Sequence, residues 1–588
     1  MNKKASNRSS QPTSTAWRYY VVLAIVALIY AGLLARSAYI QIIEPEMLKK
    51  QGDMRSMRVA ANTVQRGSII DRNGDELAIS VPVETVWADP KIIMDNDALA
   101  MTEHWQALAD VLGQDVSKLT TRVVRHPTKR FVYLERKISP AMANYIRELK
   151  IPGIHLRKES KRFYPTGEIS AHIVGFTNVD DKGIEGVERV YDQLLTGKGG
   201  SKRFRKDAKG RKIEILAVEA SQEAKNVTLT IDQRIQAIAY KELKGAVQAF
   251  KATSGSVVVA DIHTGEILAM ANSPSYNPNN RRNTAIHRFR NRAITDVYEP
   301  GSTMKPLTAL TALEFGSAET NTVIDTSPGW MRLGGRRVND PINRGKLSIE
   351  DILVTSSNMG TTKLALSVPK NFLLDKFFDA GFADDTGTDL VGESSGMMHD
   401  RPRWSKFELA TLSWGYGLAI TPMQLARFYA ALANGGIKRE LSIVKTDEIN
   451  EGVRIFSQEN ATAVTSMLEN VVDEHVQKAK VDGYRVGGKT GTSFKAVAGG
   501  YGNDYVGLFA GVAPISDPKV VVVVVINDPG GDLYHGGEVA APVFSRVMKG
   551  ALRVLNIMPD ANKQLANSYI LRPTVIDPSV SALEANDV

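Results

Sequence analysis

The segment KVVVVVVI at residues 519–526 decides the fold of the larger part of this chain. Its run of β-branched residues, in which only the first position is polar, predicts a strand that is covered on both faces. A further strand is predicted just before it, at 505–512. Two more are predicted at 255–261 and 266–271, joined by a turn that contains Gly265.

The sequence between these two groups of strands is mainly helical. A helix at about 233–250 precedes the first strand, and helical patterns recur at 304–315, 348–366, 370–380, 405–413, 421–434 and 457–472. The two ends of the region therefore form an antiparallel sheet, and a large helical insertion lies between them. This arrangement is an α+β fold.

Length and composition limit the function classes. The chain has 588 residues, enough for two or three domains, and its 43% hydrophobic and 23% charged residues are typical of a folded protein. It has no cysteine, which excludes disulfides, thiolate metal sites and a cysteine nucleophile. The net charge of +9 by itself permits nucleic acid, anionic lipid or an acidic polymer as a partner.

The beginning of the chain predicts a membrane anchor. Residues 19–35 carry no charge, are flanked by aromatic residues, and are close to the roughly 20 residues that span a bilayer. Residues 1–15 contain three cations and no acid, so this end should stay cytoplasmic and place everything after about residue 40 outside, which disfavours nucleic acid. A cleaved signal peptide is the alternative, and Ala35-Arg36-Ser37 is a poor cleavage site for it.

Residues 40–225 differ from the apolar segment before them, because short strand-like pieces and turns predominate. Residues 67–70 read as a strand that enters an Asn73-Gly74 turn. His172 is predicted to be a hydrogen-bonded structural histidine rather than a ligand. The basic run at 198–212, with eight Lys or Arg against one Asp, predicts a solvated hairpin or loop, and contact with an anionic lipid or polymer is the alternative.

A candidate nucleophile and base stand where the 304–315 helix begins. Ser302 follows a Pro-Gly breaker, and Lys305 comes three residues later. If Ser302 lies in the first helical turn, the two side chains share one face. The partial positive charge of a helix N-terminus disfavours a protonated amine, so Lys305 is poised to take the serine proton. Such a pair is weak evidence alone, because both residue types are common.

Two further groups supply partners for this pair. They are Ser356-x-Asn358 in the helical insertion and Lys489-Thr490-Gly491-Thr492, which leads towards the sheet. Attack on an amide needs a route for the proton to the leaving amine, which Ser356 can relay, and Lys489 as a second ammonium would keep Lys305 neutral. Gly491 lets its strand pass close to a substrate.

In this order, the three groups resemble the signature of the penicillin-binding proteins and serine β-lactamases. Segments of the first half are similar to the class B penicillin-binding proteins: RGSIIDRNG at 66–74, RFYP at 162–165, AH at 171–172 and GIEGVE at 183–188. The resemblance covers about residues 17–555. It is closest to the division-specific type in GDMRS at 52–56, KAVAGGY at 495–501 and INDP at 526–529.

The resemblance implies a domain order. This order is a cytoplasmic tail at 1–16, a single transmembrane helix at 17–39, an elongated mixed pedestal domain of the dimerisation type at 40–225, a penicillin-binding transpeptidase domain at 226–557, and a mobile tail at 558–588.

It also implies a peptidoglycan D,D-transpeptidase or carboxypeptidase. Ser302 would attack the D-Ala–D-Ala amide of a donor stem peptide, and an amine of a neighbouring stem would resolve the acyl-enzyme. The backbone amides of Ser302 and Thr492 would form the oxyanion hole. Thr490 and Thr492, with Lys489, would bind a substrate carboxylate, and Asn358 a substrate amide. Tyr534 and His535 either rim this site or merely cap a strand.

The implied partners are stem peptides, β-lactams, the SEDS glycosyltransferase FtsW and other divisome membrane proteins. Neither a metal nor a cofactor is expected, and no nucleic acid. The expected location is the inner membrane, with a cytoplasmic N-terminus and a periplasmic catalytic domain.

Three alternatives stay open at this point. An elongation-specific class B enzyme would share all three motifs and give round rather than filamentous cells on depletion. A β-lactamase would release bound penicillin quickly and needs a carboxylate to activate water. A non-catalytic β-lactam sensor or divisome scaffold would still support division after Ser302→Ala.

Overall fold

The computed structural model describes most of the chain. The described residues are 16–43, 46–47, 50, 52, 57–61, 65–197, 201–206, 212–218, 223–399, 401–497 and 499–561. Most of the predicted polar N-terminal tail and of the predicted mobile tail at 558–588 lies outside them. The chain forms two compact units, one of residues 1–64 with 197–223 and one of residues 65–196 with 224–588.

The first unit contains the predicted anchor. A helix runs over Ala16–Ala38 and continues as a short π-helix at Tyr39–Ile43. Within Ala16–Ile42, the most apolar window of 18 residues has a mean hydropathy of 2.2 and no buried residue, so this helix is long and apolar enough to span a bilayer.

The same unit contains a small antiparallel sheet. Its strands are Met57–Ala61, Ser201–Lys206 and Lys212–Val218, in that order. The last two strands pair antiparallel, so the basic run forms the predicted hairpin, and the turn between them falls outside the described residues.

In the second unit, residues 65–196 build a mixed domain around a bent sheet. Its strands are Ile69–Ile70, Glu76–Ala88, Val132–Ile138 and Ile154–Phe163, with Val227–Thr228 added parallel to the first. The helices are Pro90–Asp95, Ala98–Ala100, Thr102–Leu112, Val116–Val124, Pro140–Glu148, Gly167–Ile169, Ala171–Val174, Gly186–Val190 and Asp192–Thr196, and a small ladder joins Phe176–Thr177 to Gly183–Glu185.

A buried ionic network holds this domain together. The Glu188 carboxylate, which is fully buried, accepts from Arg66 Nε at 2.7 Å and from Arg162 Nε at 2.5 Å. Arg66 also donates to Asp192 at 2.6 Å. Three segments distant in sequence thus meet at one carboxylate, which explains why Arg66, Arg162 and Glu188 stand in the motif-like stretches of the first half.

The substitution Glu188→Gln should lower the free energy of unfolding by about 3–5 kcal/mol, because it leaves the buried Arg162 guanidinium without its counter-charge and Arg66 with Asp192 alone. A urea titration measures the change. The matched control is Glu84→Gln, whose partner Arg147 is half-exposed, and its loss should stay below about 1 kcal/mol. Equal losses in the two variants would contradict a structural role for the buried network.

His172 lies in the core of the second unit, as predicted for a structural histidine. Its Nε2 atom is 2.8 Å from the Arg288 carbonyl oxygen, and its ring packs edge-on against Tyr276. Burial lowers the pKa of His172 to about 4, so the ring stays neutral at physiological pH.

The remainder of this unit contains the predicted antiparallel sheet, whose four predicted strands are joined by a fifth, Gly487–Val497, that was not predicted. The strand order is Ile267–Ser273, Ser254–Asp261, Val520–Asn527, Gly500–Ala513 and Gly487–Val497. All residues from Val520 to Ile526 are buried, because the helices Gln233–Ala249, Pro422–Ala433 and Ala541–Val554 pack against the sheet.

The helical insertion follows the predicted pattern with one difference. Its helices are Arg292–Thr295, Lys305–Phe315, Ile349–Val354, Asn358–Leu366, Lys370–Asp379, Lys406–Ser413, Pro422–Ala433 and Gln458–Asn470. The single helix predicted at 348–366 is wrong, because the chain leaves the helical conformation at 355–357. Ser356 has a φ of +56°, and Ser357 caps the next helix by accepting from Gly360 N.

Shorter elements complete the insertion and the end of the domain. They are the 3₁₀ turns Ile286–Arg288, Gly301–Met304 and Gln477–Ala479, the π-helix Val471–His475, the helix Gly536–Val539, and the paired strands Val323–Asp325 with Lys346–Ser348, Trp330–Leu333 with Arg336–Asn339, and Ile437–Lys438 with Val453–Arg454.

Candidate active site

The candidate nucleophile lies in a 3₁₀ turn that leads into a buried helix. Gly301–Met304 forms the turn, and the helix begins at Lys305. In a 3₁₀ turn the residues i and i+3 eclipse one another, which aligns Ser302 and Lys305 more closely than an α-helix would. Ser302 is partly exposed and Lys305 is 1% exposed. Ser302 is therefore open to solvent, and the amine is buried at the start of the helix that follows.

The Lys305 amine joins the first motif to the second. Its Nζ atom donates to the Ser356 carbonyl oxygen, to Ser356 Oγ at 3.1 Å and to Asn358 Oδ1 at 2.8 Å. Among the described residues, these are its hydrogen-bond partners, and Ser302 Oγ is not one of them. The amine is thus held by the Ser-x-Asn loop while its sequence position places it beside the serine.

The two lysines of the site have lowered pKa values. Burial, and then the charge of Lys489, hold the pKa of Lys305 well below its ordinary value of 10.5, and the Asp340 carboxylate opposes this shift. Burial lowers the pKa of Lys489 to about 8. The charge of Lys489 thus disfavours a second buried ammonium group and favours the neutral form of Lys305.

The third motif lies on the edge strand of the large sheet. Gly491 is directly opposite Leu508, and a Cβ atom at Gly491 would lie 2.6 Å from the Pro300 carbonyl oxygen. Only glycine therefore allows this strand to pass beside the turn that carries Ser302. Thr490 and Thr492 alternate with Gly491, are partly exposed and share one face of the strand.

The conformation of the Ser-x-Asn loop is fixed from outside by Asp340. One carboxylate oxygen accepts from the backbone amides of Asn358 at 2.6 Å and Met359 at 3.0 Å, and the other accepts from the Ser357 hydroxyl. These bonds satisfy amides at the start of the following helix. They hold Ser356 in its left-handed conformation, which is unfavourable for a non-glycine residue. The sequence motifs did not reveal Asp340.

The substitution Asp340→Asn should lower the second-order rate of acylation by penicillin about 10- to 100-fold. It removes the charge from three hydrogen bonds that position Ser356 and Asn358, and bonds to a charged group contribute about 1.5–3 kcal/mol. Stopped-flow acylation measures the effect. The control is the nearby exposed carboxylate variant Asp325→Asn, for which we expect an unchanged rate. A rate for Asp340→Asn equal to this control would contradict the role of Asp340.

Glu299 is a second residue that the sequence reasoning missed. It precedes the Pro-Gly breaker, its Oε1 accepts from Gly417 N at 2.8 Å and from the Tyr501 hydroxyl at 3.2 Å, and burial raises its pKa. A carboxylate beside a turn has no distinctive sequence signature, so no motif marks Glu299.

An aromatic series borders the third motif. Tyr534 stacks on Tyr505 at 4.0 Å, and His535 adjoins Tyr534 at 4.4 Å. The next amide, Gly536 N, donates to Thr492 Oγ1 at 3.0 Å. Of the two alternatives for Tyr534 and His535, this geometry favours the rim of the site, and the His535 backbone amide donates to Glu538 Oε2 at 3.3 Å where a short helix begins.

The arrangement has the parts that an acyl transfer needs. A partly exposed hydroxyl lies near a buried amine of lowered pKa, and a second hydroxyl bonds that amine. The edge strand passes beside the turn that carries the hydroxyl. In the described residues, no group of three or more His, Asp or Glu side chains is placed to hold a metal ion.

Comparison with protein families matches both halves of the chain. Residues 255–549 match the penicillin binding protein transpeptidase domain, and residues 61–229 match the penicillin-binding protein dimerisation domain. The peptidoglycan D,D-transpeptidase FtsI of Escherichia coli K12 is 47% identical over 562 residues, which is 95% of each chain.

Solved structures agree with the fold. A peptidoglycan synthetase from Bifidobacterium adolescentis has a TM-score of 0.70 at 24% identity over 86% of this chain and 98% of its own. The transpeptidase domain of penicillin-binding protein 3 from Burkholderia pseudomallei has a TM-score of 0.53 at 37% identity, over 57% of this chain and 98% of its own.

Proposed function

The chain belongs to the class B penicillin-binding proteins, and from this premise we propose that it is a peptidoglycan D,D-transpeptidase. It cross-links stem peptides at the division septum through a serine acyl-enzyme, and β-lactams acylate the same serine. The observation that carries this proposal is the Lys305 amine, which is buried, has a lowered pKa and is hydrogen-bonded to Ser356 and Asn358.

The first half-reaction forms the acyl-enzyme. Neutral Lys305 takes the Ser302 proton as the hydroxyl attacks the D-Ala–D-Ala carbonyl, and the amides of Ser302 and Thr492 stabilise the oxyanion. A neutral amine has two N–H donors and one lone pair. When these two N–H groups donate to the Ser356 carbonyl and Asn358 Oδ1, the lone pair is left to accept a proton from a serine hydroxyl. Ser356 then relays the proton to the departing D-Ala amine.

The remaining site residues bind the donor. Lys489, Thr490 and Thr492 bind its terminal carboxylate, Gly491 allows the close approach of the strand, and Asn358 holds an amide of the stem. In the second half-reaction, the amine of a neighbouring stem attacks the acyl-enzyme and closes the cross-link. When water takes the place of this amine, the product is that of a carboxypeptidase.

The domain order and the location are part of the same proposal. A tail at 1–16 lies in the cytoplasm, residues 17–39 anchor the chain in the inner membrane, and residues 40–225 form a periplasmic pedestal under a transpeptidase domain at 226–557. The excess of cations before the helix supports this orientation. The pedestal and the anchor would contact FtsW and other divisome proteins.

The test is covalent labelling of the full-length protein with a fluorescent penicillin, followed by mass-spectrometric mapping of the adduct. We expect one adduct, on Ser302, that is released slowly. An adduct on another residue would overturn the assignment, and rapid release would indicate a β-lactamase. Filaments on depletion of the protein would support the division-specific type, and round cells the elongation-specific type.

A further inference from the structure

We propose that the hairpin beside the Ser-x-Asn loop is a docking surface for the carboxylate-bearing stem peptides of a peptidoglycan strand. This basic hairpin comprises residues 330–346, with strands Trp330–Leu333 and Arg336–Asn339. The inference rests on the proposed function, since it assigns a second contact for the same polymer outside the catalytic cleft.

The charged residues of the basic hairpin are nearly all cations. It contains four arginines and one lysine, at positions 332, 336, 337, 344 and 346, all of them exposed. Its single acid is Asp340, which is 9% exposed and already bonded to the Ser-x-Asn loop. In the described part of the chain, no residue forms an ion pair with Arg332, Arg337 or Arg344.

The register of the hairpin places like charges together. Arg332 and Arg337 are directly opposite one another on the outward face, and like charges in that relation destabilise a sheet. The inward face packs apolar residues, Leu333 and Val338, against Met359. Arg337 lies over the Trp330 ring at 4.8 Å, which stabilises the hairpin, whereas the placement of Arg332 opposite Arg337 opposes its stability. An anionic ligand on the outward face would remove this repulsion.

The basic hairpin is attached directly to the catalytic machinery. Asp340 bonds Asn358 N and Met359 N, and Arg337 precedes it by three residues, which limits their Cα separation to about 11 Å. A stem peptide that enters the cleft must come from a polymer close by. Stem peptides carry free carboxylates, which guanidinium groups bind well.

A second basic segment enlarges the same surface. Arg401, Arg403 and Lys406 precede and begin the Lys406–Ser413 helix, and Arg336 of the hairpin lies 5.1 Å from the ring centre of Phe407 in that helix. Of these added cations, Arg401 pairs with Glu408, and the other two add exposed positive charge. The surface thus continues from the hairpin onto the neighbouring helix, which offers a polymer more than one point of contact.

The test compares the full-length triple variant Arg332→Gln, Arg337→Gln, Arg344→Gln with the wild-type protein. The substrate is uncross-linked glycan strands that bear pentapeptides. At low ionic strength, the triple variant should raise the KM for these strands about tenfold and keep its kcat. The difference should shrink in 0.5 M salt, because salt screens contacts between exposed charges.

The matched control removes three exposed cations elsewhere, Lys118→Gln, Arg125→Gln and Lys241→Gln, and should keep the wild-type KM. Acylation of the triple variant by a small penicillin should stay within twofold of wild type, and its thermal midpoint should not fall. An unchanged KM in the triple variant, with acylation and cross-linking intact, would overturn the docking surface and leave the proposed function standing. If penicillin does not acylate Ser302 of the wild-type protein, the proposed function itself is wrong.

Hydrogen exchange of the full-length protein in phosphatidylcholine vesicles distinguishes the polymer from a membrane. We expect the backbone amides of residues 330–346 to be protected when the glycan strands are added. Protection by added phosphatidylglycerol, without protection by the strands, would assign the basic hairpin to lipid and overturn the proposal.

Discussion

Replacing Ser302 by alanine is expected to abolish covalent labelling by penicillin and to lower the cross-linking rate by at least about 10⁴-fold. The Ser302 hydroxyl is the nucleophile of the proposed reaction and precedes the buried Lys305 by three residues, and an acyl-enzyme cannot form without it. Because Ser302 is partly exposed and its Oγ is not a hydrogen-bond partner of Lys305 in the described residues, the variant should fold normally.

The control for this prediction is Ser493→Ala. Ser493 is a buried serine on the edge strand next to Thr492, and its loss should leave labelling within a few-fold of wild type. In cells depleted of the wild-type chain, Ser302→Ala should fail to restore septation. If that variant supports division, the protein acts as a scaffold and the transpeptidase proposal fails.

The large sheet was predictable from the sequence because its strands are recognisable one at a time. The apolar strand at 519–526 is stable only when both of its faces are buried. The helical patterns that separate it from its partner strands are of ordinary length. The anchor was predictable for the same reason, since a charge-free segment of bilayer length is a local property. Prediction succeeded wherever a short stretch determined its own environment.

The conformation of the Ser-x-Asn loop was not predictable in this way. Helical periodicity continues through 348–366, and the predicted single helix ignores the strain that Ser356 bears at a φ of +56°. That strain is sustained by Asp340, which stands 16 residues earlier on a hairpin with no periodic signal. Likewise, Glu188 meets Arg66 across 122 residues of sequence. Contacts of this kind are set by tertiary packing.

Replacing Lys305 by methionine is expected to lower the acylation rate by about 10³-fold, within the range that general-base catalysis contributes. Methionine fills the buried space of the lysine stem but cannot take a proton. Stopped-flow acylation by penicillin measures the loss. The control is Lys363→Met, on the helix after the Ser-x-Asn loop, whose amine contacts the Asp325 carbonyl at the surface. It should leave the rate unchanged.

The pH dependence of acylation identifies the state of each lysine. Lys305 acts as a base only when neutral, so the rate should rise as the pH increases through its lowered pKa. Lys489 binds a carboxylate only when charged, so the rate should fall again above about pH 8, where it loses its proton. The acylation rate is therefore expected to depend on pH as a bell-shaped curve, and the descending limb reports the loss of the Lys489 proton.

Unfolding does not account for the descending limb. A lysine whose folded pKa is lowered binds its proton more weakly in the folded chain than in the unfolded chain. Between about pH 8 and its ordinary value of 10.5, Lys489 therefore makes the free energy of unfolding increase with pH. The variant Lys489→Arg, which keeps its charge to higher pH, should move the descending limb upward and leave the ascending limb in place. If both limbs stay where they are in that variant, Lys489 is not the group that must be charged, and the division of roles between the two lysines is wrong.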